Sequence, residues 1–196
     1  MEHDELPIIY HELENPDNLE IDLKSPLKII LIGDMNVGKT NLLLRYVNDS
    51  FTTKSGYSIG KNYIEKDVYM RGRWVKFQLW DTQGAEAKEG MPDEFWAEAD
   101  VVLIVYSLKK RQSFVSVPNW IEIAKANCPS ALKFLIGNQK DLPAESWVVS
   151  RKEAGKLAKD NQMGFELTSA KTGEGIDVIF MHTVNEMLKT NTVCSW

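Results

Sequence analysis

The sequence predicts a three-layer α/β fold: a six-stranded, mostly parallel sheet with one antiparallel edge strand and helices on both faces. Three observations lead there. From Leu27 onward, strand-length apolar runs alternate with segments of helical spacing. The runs Val101 to Tyr106 and Leu132 to Ile136 are apolar but for Lys133, as in strands of a parallel sheet covered on both faces. Tyr63 to Met70 and Trp74 to Trp80 alternate in polarity around Arg71-Gly72-Arg73, which predicts an antiparallel hairpin.

In chain order, Leu27 to Ile32 is apolar but for Lys28 and makes the first strand. Asn41 to Val47 follows as a helix after the glycine-containing stretch Gly33 to Thr40. The hairpin comes next, then the Val101 strand, a helix over Ser113 to Ala126, and the Leu132 strand. Ser150-Arg151-Lys152-Glu153 is a capping box that opens a helix to about Asn161. Phe165 to Thr168 is a short last strand and Ile176 to Leu188 a last helix. In such a sheet a ligand is expected at the carboxyl ends of the strands.

A chain of 196 residues suits one domain, here expected over 27–196, behind an acidic flexible arm over 1–26. The arm holds eight acids against Lys24, a net of −7 within a total of −5, so the remainder is close to neutral. Prolines 7, 16 and 26 and poor periodicity argue against a packed element there. The arm reads either as a solvated tail or as a docking segment, since Pro7-Ile8-Ile9-Tyr10 is apolar. No basic face suited to nucleic acid is visible. No apolar run approaches 18 residues, which excludes a membrane-spanning helix. The first residues lack a secretory signal, and two cysteines give no disulfide framework, so a cytoplasmic protein is expected, most simply a monomer.

Gly33-Asp34-Met35-Asn36-Val37-Gly38-Lys39-Thr40 fits G-x-x-x-x-G-K-[ST], placed between strand and helix. Gly33 and Gly38 let the backbone curl so that successive N–H groups, those of Asn36, Val37, Gly38 and Asn41 among them, can surround an anion. The helix N-terminus adds a favourable dipole. Lys39 supplies a point charge for the β- and γ-phosphates, and the Thr40 hydroxyl a ligand for Mg²⁺. The fold expectation is therefore that of a P-loop nucleotide-binding protein. Trp80-Asp81-Thr82-Gln83-Gly84 ends the third strand, so Asp81 is expected at the same Mg²⁺. Gly84 can offer its N–H to a γ-phosphate because no side chain blocks the approach.

Asn138-Gln139-Lys140-Asp141 follows the fifth strand, and Thr168-Ser169-Ala170-Lys171 the sixth. With these, and with Leu31-Ile32-Gly33-Asp34, Phe51, Ser58-Ile59-Gly60, Phe77 to Thr82 and Ser169 to Gly173, the chain resembles the Ras superfamily of small GTPases over roughly Leu27 to Leu188. Within it the chain looks most like the Rab branch. The resemblance implies GTP/GDP and Mg²⁺ as ligands. It places Asp141 on the guanine N1–H and amine, Asn138 between the loops and the purine, and the Ala170 N–H at the guanine oxygen. Lys171 would pack along the base, Phe51 near the base or ribose, and Lys140 and Ser169 belong to the same two motifs. A buried carboxylate without its partner is costly, so Asp141 would reject adenine as well as favour guanine. Ser58 would join Thr40 and Asp81 at the metal.

Four positions depart from the family pattern. Ser58 replaces a threonine, keeping the hydroxyl but losing a methyl, so a looser first switch is expected. Gln139 replaces the lysine whose stem packs over the nucleotide. Met35 takes a site usually filled by a small residue, and its bulk is expected to crowd the γ-phosphate region. Ala85 stands where the family has the glutamine that orients the attacking water. Slow hydrolysis follows, with no catalytic residue assigned and Gln83 the remaining candidate. The expected function is a nucleotide-dependent switch in membrane trafficking or signalling. The alternative is a constitutively GTP-bound scaffold. Effectors and regulators would meet residues 51–63 and 84–96. Of the aromatics there, Phe77 reads as core, while Trp80 and Trp96 read as core or as a platform. His182 has no second ligand at helical spacing and reads as an ordinary histidine. Cys194 lies one residue short of a prenylation box without a polybasic run, leaving a stray cysteine or a non-standard lipid site, and membrane association weak or peripheral.

Overall fold

The computed structural model describes residues 26–52, 63–70, 72–82 and 91–193. Six strands form one sheet in the order β2-β3-β1-β4-β5-β6. They are β1 (Leu27–Ile32), β2 (Tyr63–Met70), β3 (Arg73–Asp81), β4 (Val101–Ser107), β5 (Leu132–Asn138) and β6 (Gly164–Leu167). All neighbours run parallel except β2 and β3, which pair antiparallel from Tyr63–Trp80 to Met70–Arg73. The single antiparallel edge strand is as expected. The helices are α1 (Lys39–Asn48), α2 (Asp93–Trp96), α3 (Arg111–Val115), α4 (Val117–Asn127), α5 (Arg151–Asp160) and α6 (Ile176–Val193).

Alternate residues of the central strands feed two separate cores. Ile30, Ile32, Val102, Ile104 and Tyr106 pack under α2 to α5, while Leu27, Ile29, Leu31, Val101, Leu103 and Val105 pack under α1 and α6. That explains why β1 and β4 are apolar on consecutive residues. Lys28, the polar exception, is only 8% exposed. Its ammonium donates to the Glu94 and Ala97 carbonyls and lies over the Trp80 ring, so burial leaves its charge partnered. The edge strand β2 alternates in burial, having only one covered face.

Phe77, Trp80 and Trp96 are all buried, which places the two tryptophans in the core. The helix expected over Ser113 to Ala126 is two helices. Pro118 has no N–H to give the preceding turn, and the ladder breaks at Ser116. The capping box forms, with the Ser150 hydroxyl accepting the Glu153 N–H at 3.1 Å. The last helix runs five residues beyond the expected Leu188, to Val193. No helix among the described residues is long and apolar enough to cross a membrane.

Candidate functional site

β1 ends at Ile32, and the chain must turn sharply into α1. Gly33 takes φ +138°, and a Cβ there would stand 2.2 Å from the Val105 carbonyl oxygen on β4. Gly38 takes φ +96°, and a Cβ there would meet the Asn138 amide nitrogen at 2.4 Å. Both glycines are therefore required by space as well as by backbone angle. Asn36 is left-handed too, at φ 64°, a region asparagine tolerates. Val37 is fully buried and pins the loop's midpoint to the core. No side chain caps α1, so the amides at its N-terminus keep their preference for an anion.

Lys39, the first residue of α1, is only 4% exposed. Its ammonium donates to the Gly33 carbonyl at 2.8 Å and the Asp34 carbonyl at 3.0 Å, which stretches it across the curl. The Thr40 hydroxyl donates to the Asp81 carboxylate, and Asp81 sits opposite Leu31 in the β1–β3 register. An ammonium, curled amides, a hydroxyl and a carboxylate thus converge at the carboxyl edge of the sheet. This is the donor set that a triphosphate and a hard divalent cation need, and the residues fit both groups.

Loops after β5 and β6 complete the same edge. Asn138 is 1% exposed and bonded at both ends of its amide. Its Nδ2 donates to the Val37 carbonyl at 2.8 Å, and its Oδ1 accepts from the Ala170 N–H at 3.2 Å and the Thr168 hydroxyl at 3.4 Å. One side chain therefore joins three loops. Asp141 accepts the Ser169 hydroxyl at 2.7 Å and has the Lys171 ammonium at 3.8 Å. Gly137 is needed because a Cβ there would fall 2.6 Å from both the Tyr106 hydroxyl and Leu167. Burial pushes the Tyr106 phenol well above its ordinary value, so it stays neutral beneath the site. The Lys140 ammonium pairs with Glu174, while its backbone N–H donates to the Thr168 carbonyl at 2.9 Å.

Gln139 adopts φ 75° and its side-chain oxygen accepts from the Ser107 hydroxyl, so the sheet end holds it. Met35 is 51% exposed. Phe51 is 39% exposed just after α1, beside a two-way bond between the Asn41 side chain and the Thr52 backbone at 2.9 and 3.2 Å. Ser58, Gln83, Gly84, Ala85 and Cys194, the arm over 1–25, and most of the expected partner segments 51–63 and 84–96 lie outside the described residues. His182 is exposed, and no cluster of potential metal ligands occurs among the described residues.

Sequence reasoning missed Arg45 and Ser107. From α1, the Arg45 guanidinium donates to the Ala170 carbonyl at 2.9 Å, the Lys171 carbonyl at 2.7 Å, and Asp49. The Ala170 and Lys171 carbonyls are 125 residues or more away, and a single sequence carries no sign of such acceptors. Ser107 signals itself only weakly, as the first polar residue after an apolar strand.

A curled loop with a buried lysine between β1 and α1, facing a strand-end carboxylate, defines a P-loop nucleotide-binding protein. The comparisons narrow the class. The model of the Ras family matches residues 28–189. Ras-related protein Rab-18-B of Danio rerio is 32% identical over 174 residues, covering 88% of this chain and 84% of the relative. Ras-related protein Rab-19 of Xenopus laevis is 36% identical over 84% of this chain and 78% of its own. Ras-related protein Rab-4 of Dictyostelium discoideum is 34% identical over 79% and 76%. The chain belongs to the Ras family of small GTPases and is Rab-like within it.

Proposed function

We propose that this chain is a GTP/GDP-dependent switch of membrane trafficking or signalling that hydrolyses GTP slowly. The observation that carries the reading is Asn138, whose two side-chain ends tie the phosphate loop to the base loop in one rigid site. In this reading, Lys39 and the amides from Asn36 to Asn41 hold the phosphates. Asp141, Ala170 and Lys171 select guanine, with Asn138, Lys140 and Ser169 setting their loops and Phe51 at the base or ribose. Thr40, Asp81 and Ser58 hold Mg²⁺, which when bound neutralises charge on the phosphates. Ser58 and Gly84 distinguish GTP from GDP, and partners read the difference through 51–63 and 84–96.

Ala85 has no group to orient a water, so intrinsic turnover falls below the roughly 4 × 10⁻⁴ per second of Ras. Single-turnover hydrolysis tests this: a rate well above that figure overturns it, and Ala85→Gln raises a slow one. Ala85 also favours a second reading, a long-lived GTP-bound scaffold stabilised by its nucleotide. Partner recovery in GDP against a GTP analogue separates the two, since a scaffold recovers partners equally. The nucleotide that co-purifies tests both readings together.

A further inference from the structure

The phosphate loop carries a carboxylate of its own, an unfavourable charge for a loop that takes up an anion. Asp34 follows Gly33, and its side chain is held on the α4 side of the loop. Oδ1 accepts the Trp120 indole N–H at 2.8 Å, and Oδ2 lies 3.0 Å from the Ser116 hydroxyl. The Ser116 proton also has the Gln112 carbonyl within 3.1 Å, so Trp120 is the firmer of the two donors. Trp120 is 3% exposed in the core under α4, and its ring is fixed by packing. The same Asp34 accepts the Lys39 ammonium on its main-chain oxygen at 3.0 Å. One residue thus bears the loop's lysine on its backbone while its negative side chain is anchored to a different helix.

We propose that Trp120, assisted by Ser116, is a positioning residue for nucleotide binding: it restrains the Asp34 carboxylate against α4 so that the loop presents amides and ammonium to the phosphates. The proposal rests on the nucleotide reading above. Freed from the indole, the carboxylate can reach the Lys39 ammonium or face the phosphates, and either weakens the complex. The restraint acts through Asp34, so its value disappears when Asp34 carries no charge. A packing role for the Trp120 ring is independent of that charge.

The test is a double-mutant cycle on release of N-methylanthraniloyl-GDP from the full chain with Mg²⁺, chased by excess GDP. Trp120→Phe keeps a ring but removes the donor, and speeds release about 10-fold, the size of one lost charge-assisted hydrogen bond. In an Asp34→Ala background the same change alters release by less than about 2-fold. An equal acceleration in both backgrounds, or none in the wild type, overturns the proposal. If Trp120→Phe does not fold, Ser116→Ala enters the same cycle, with about 3-fold faster release expected only when Asp34 is present. Wild-type protein that retains no GDP overturns the nucleotide reading together with this one, whereas normal wild-type binding with a flat cycle overturns this one alone.

Discussion

Two regions of the sheet, its carboxyl edge and its β2–β3 hairpin, are held together by different chemistry. At the carboxyl edge of β1, β4, β5 and β6, the polar side chains Lys39, Asn138, Ser107, Thr168 and Ser169 are all under 5% exposed, and each has hydrogen-bond partners. At the β2–β3 hairpin the ion pairs lie on the surface. Lys76 meets Asp67 at 3.2 Å and Glu65 at 3.9 Å with every partner at least 41% exposed, and Trp74 is 71% exposed against Tyr69. Buried polar networks are worth most when complete and cost most when broken, whereas exposed ion pairs are worth little. The nucleotide edge is therefore built to be one shape. The hairpin edge is built to tolerate change.

Breaking the network should give the largest effect. Asn138→Ala strands the Val37 carbonyl and the Ala170 N–H at once, and GDP affinity should fall at least about 100-fold by fluorescence titration. A loss under about 5-fold would mean that the loops hold their places without it. Gly33→Ala comes next. It forces a side chain into φ +138° against the Val105 oxygen, and urea denaturation should show a loss of about 2–4 kcal/mol. Arg45→Ala removes the fork beneath Ala170 and Lys171 and should speed GDP release about 10-fold, with Arg45→Lys restoring only part.

Much of this contrast was legible before any coordinates. Gly33, Gly38, Lys39 and Thr40 stand out in the sequence because a phosphate cradle would demand these residue types at this spacing. The paired loops after β5 and β6 were legible from motif order. The central strands β1, β4 and β5 were legible because burial on both faces leaves runs that are apolar but for Lys28 and Lys133, and the hairpin because one covered face leaves alternation. What stayed hidden depends on distant partners. The bond from the Ser107 hydroxyl to the side-chain oxygen of Gln139 spans 32 residues, and nothing near either residue announces it. The Ser116 break was hidden because the apolar spacing of Ser113 to Ala126 continues through it, although Pro118 was in plain view. The reach of Arg45 across the fold has no local signature at all.

At the hairpin, Trp74→Ser should leave GDP affinity unchanged and shift stability by no more than about 0.5 kcal/mol, since the ring is mostly in solvent. A larger change in the isolated protein would show that the hairpin edge is coupled to the site, and the contrast between the two edges would fail.

The smallest expected effect lies on the helical face, where Arg111 forms a two-pronged pair with Glu153 at 2.6 and 2.7 Å, both side chains being 40% exposed or more. The guanidinium holds the Glu153 carboxyl below its ordinary value of 4.5, helped by the Ser150 cap. A carboxyl lowered in the folded state binds its proton less readily there than in the unfolded chain. Its contribution is therefore present above the ordinary value and is lost as pH falls through the folded-state one. Glu153→Gln should lower the melting temperature slightly at neutral pH, and the gap to wild type should close as pH falls below the ordinary carboxyl value of 4.5. Screening should close it too, near 1 M salt at neutral pH, because exposed charges are those that ions reach. A gap that survives both acid and salt would show that this surface pair behaves like the buried network at the nucleotide edge, and that exposure is the wrong measure of what these contacts are worth.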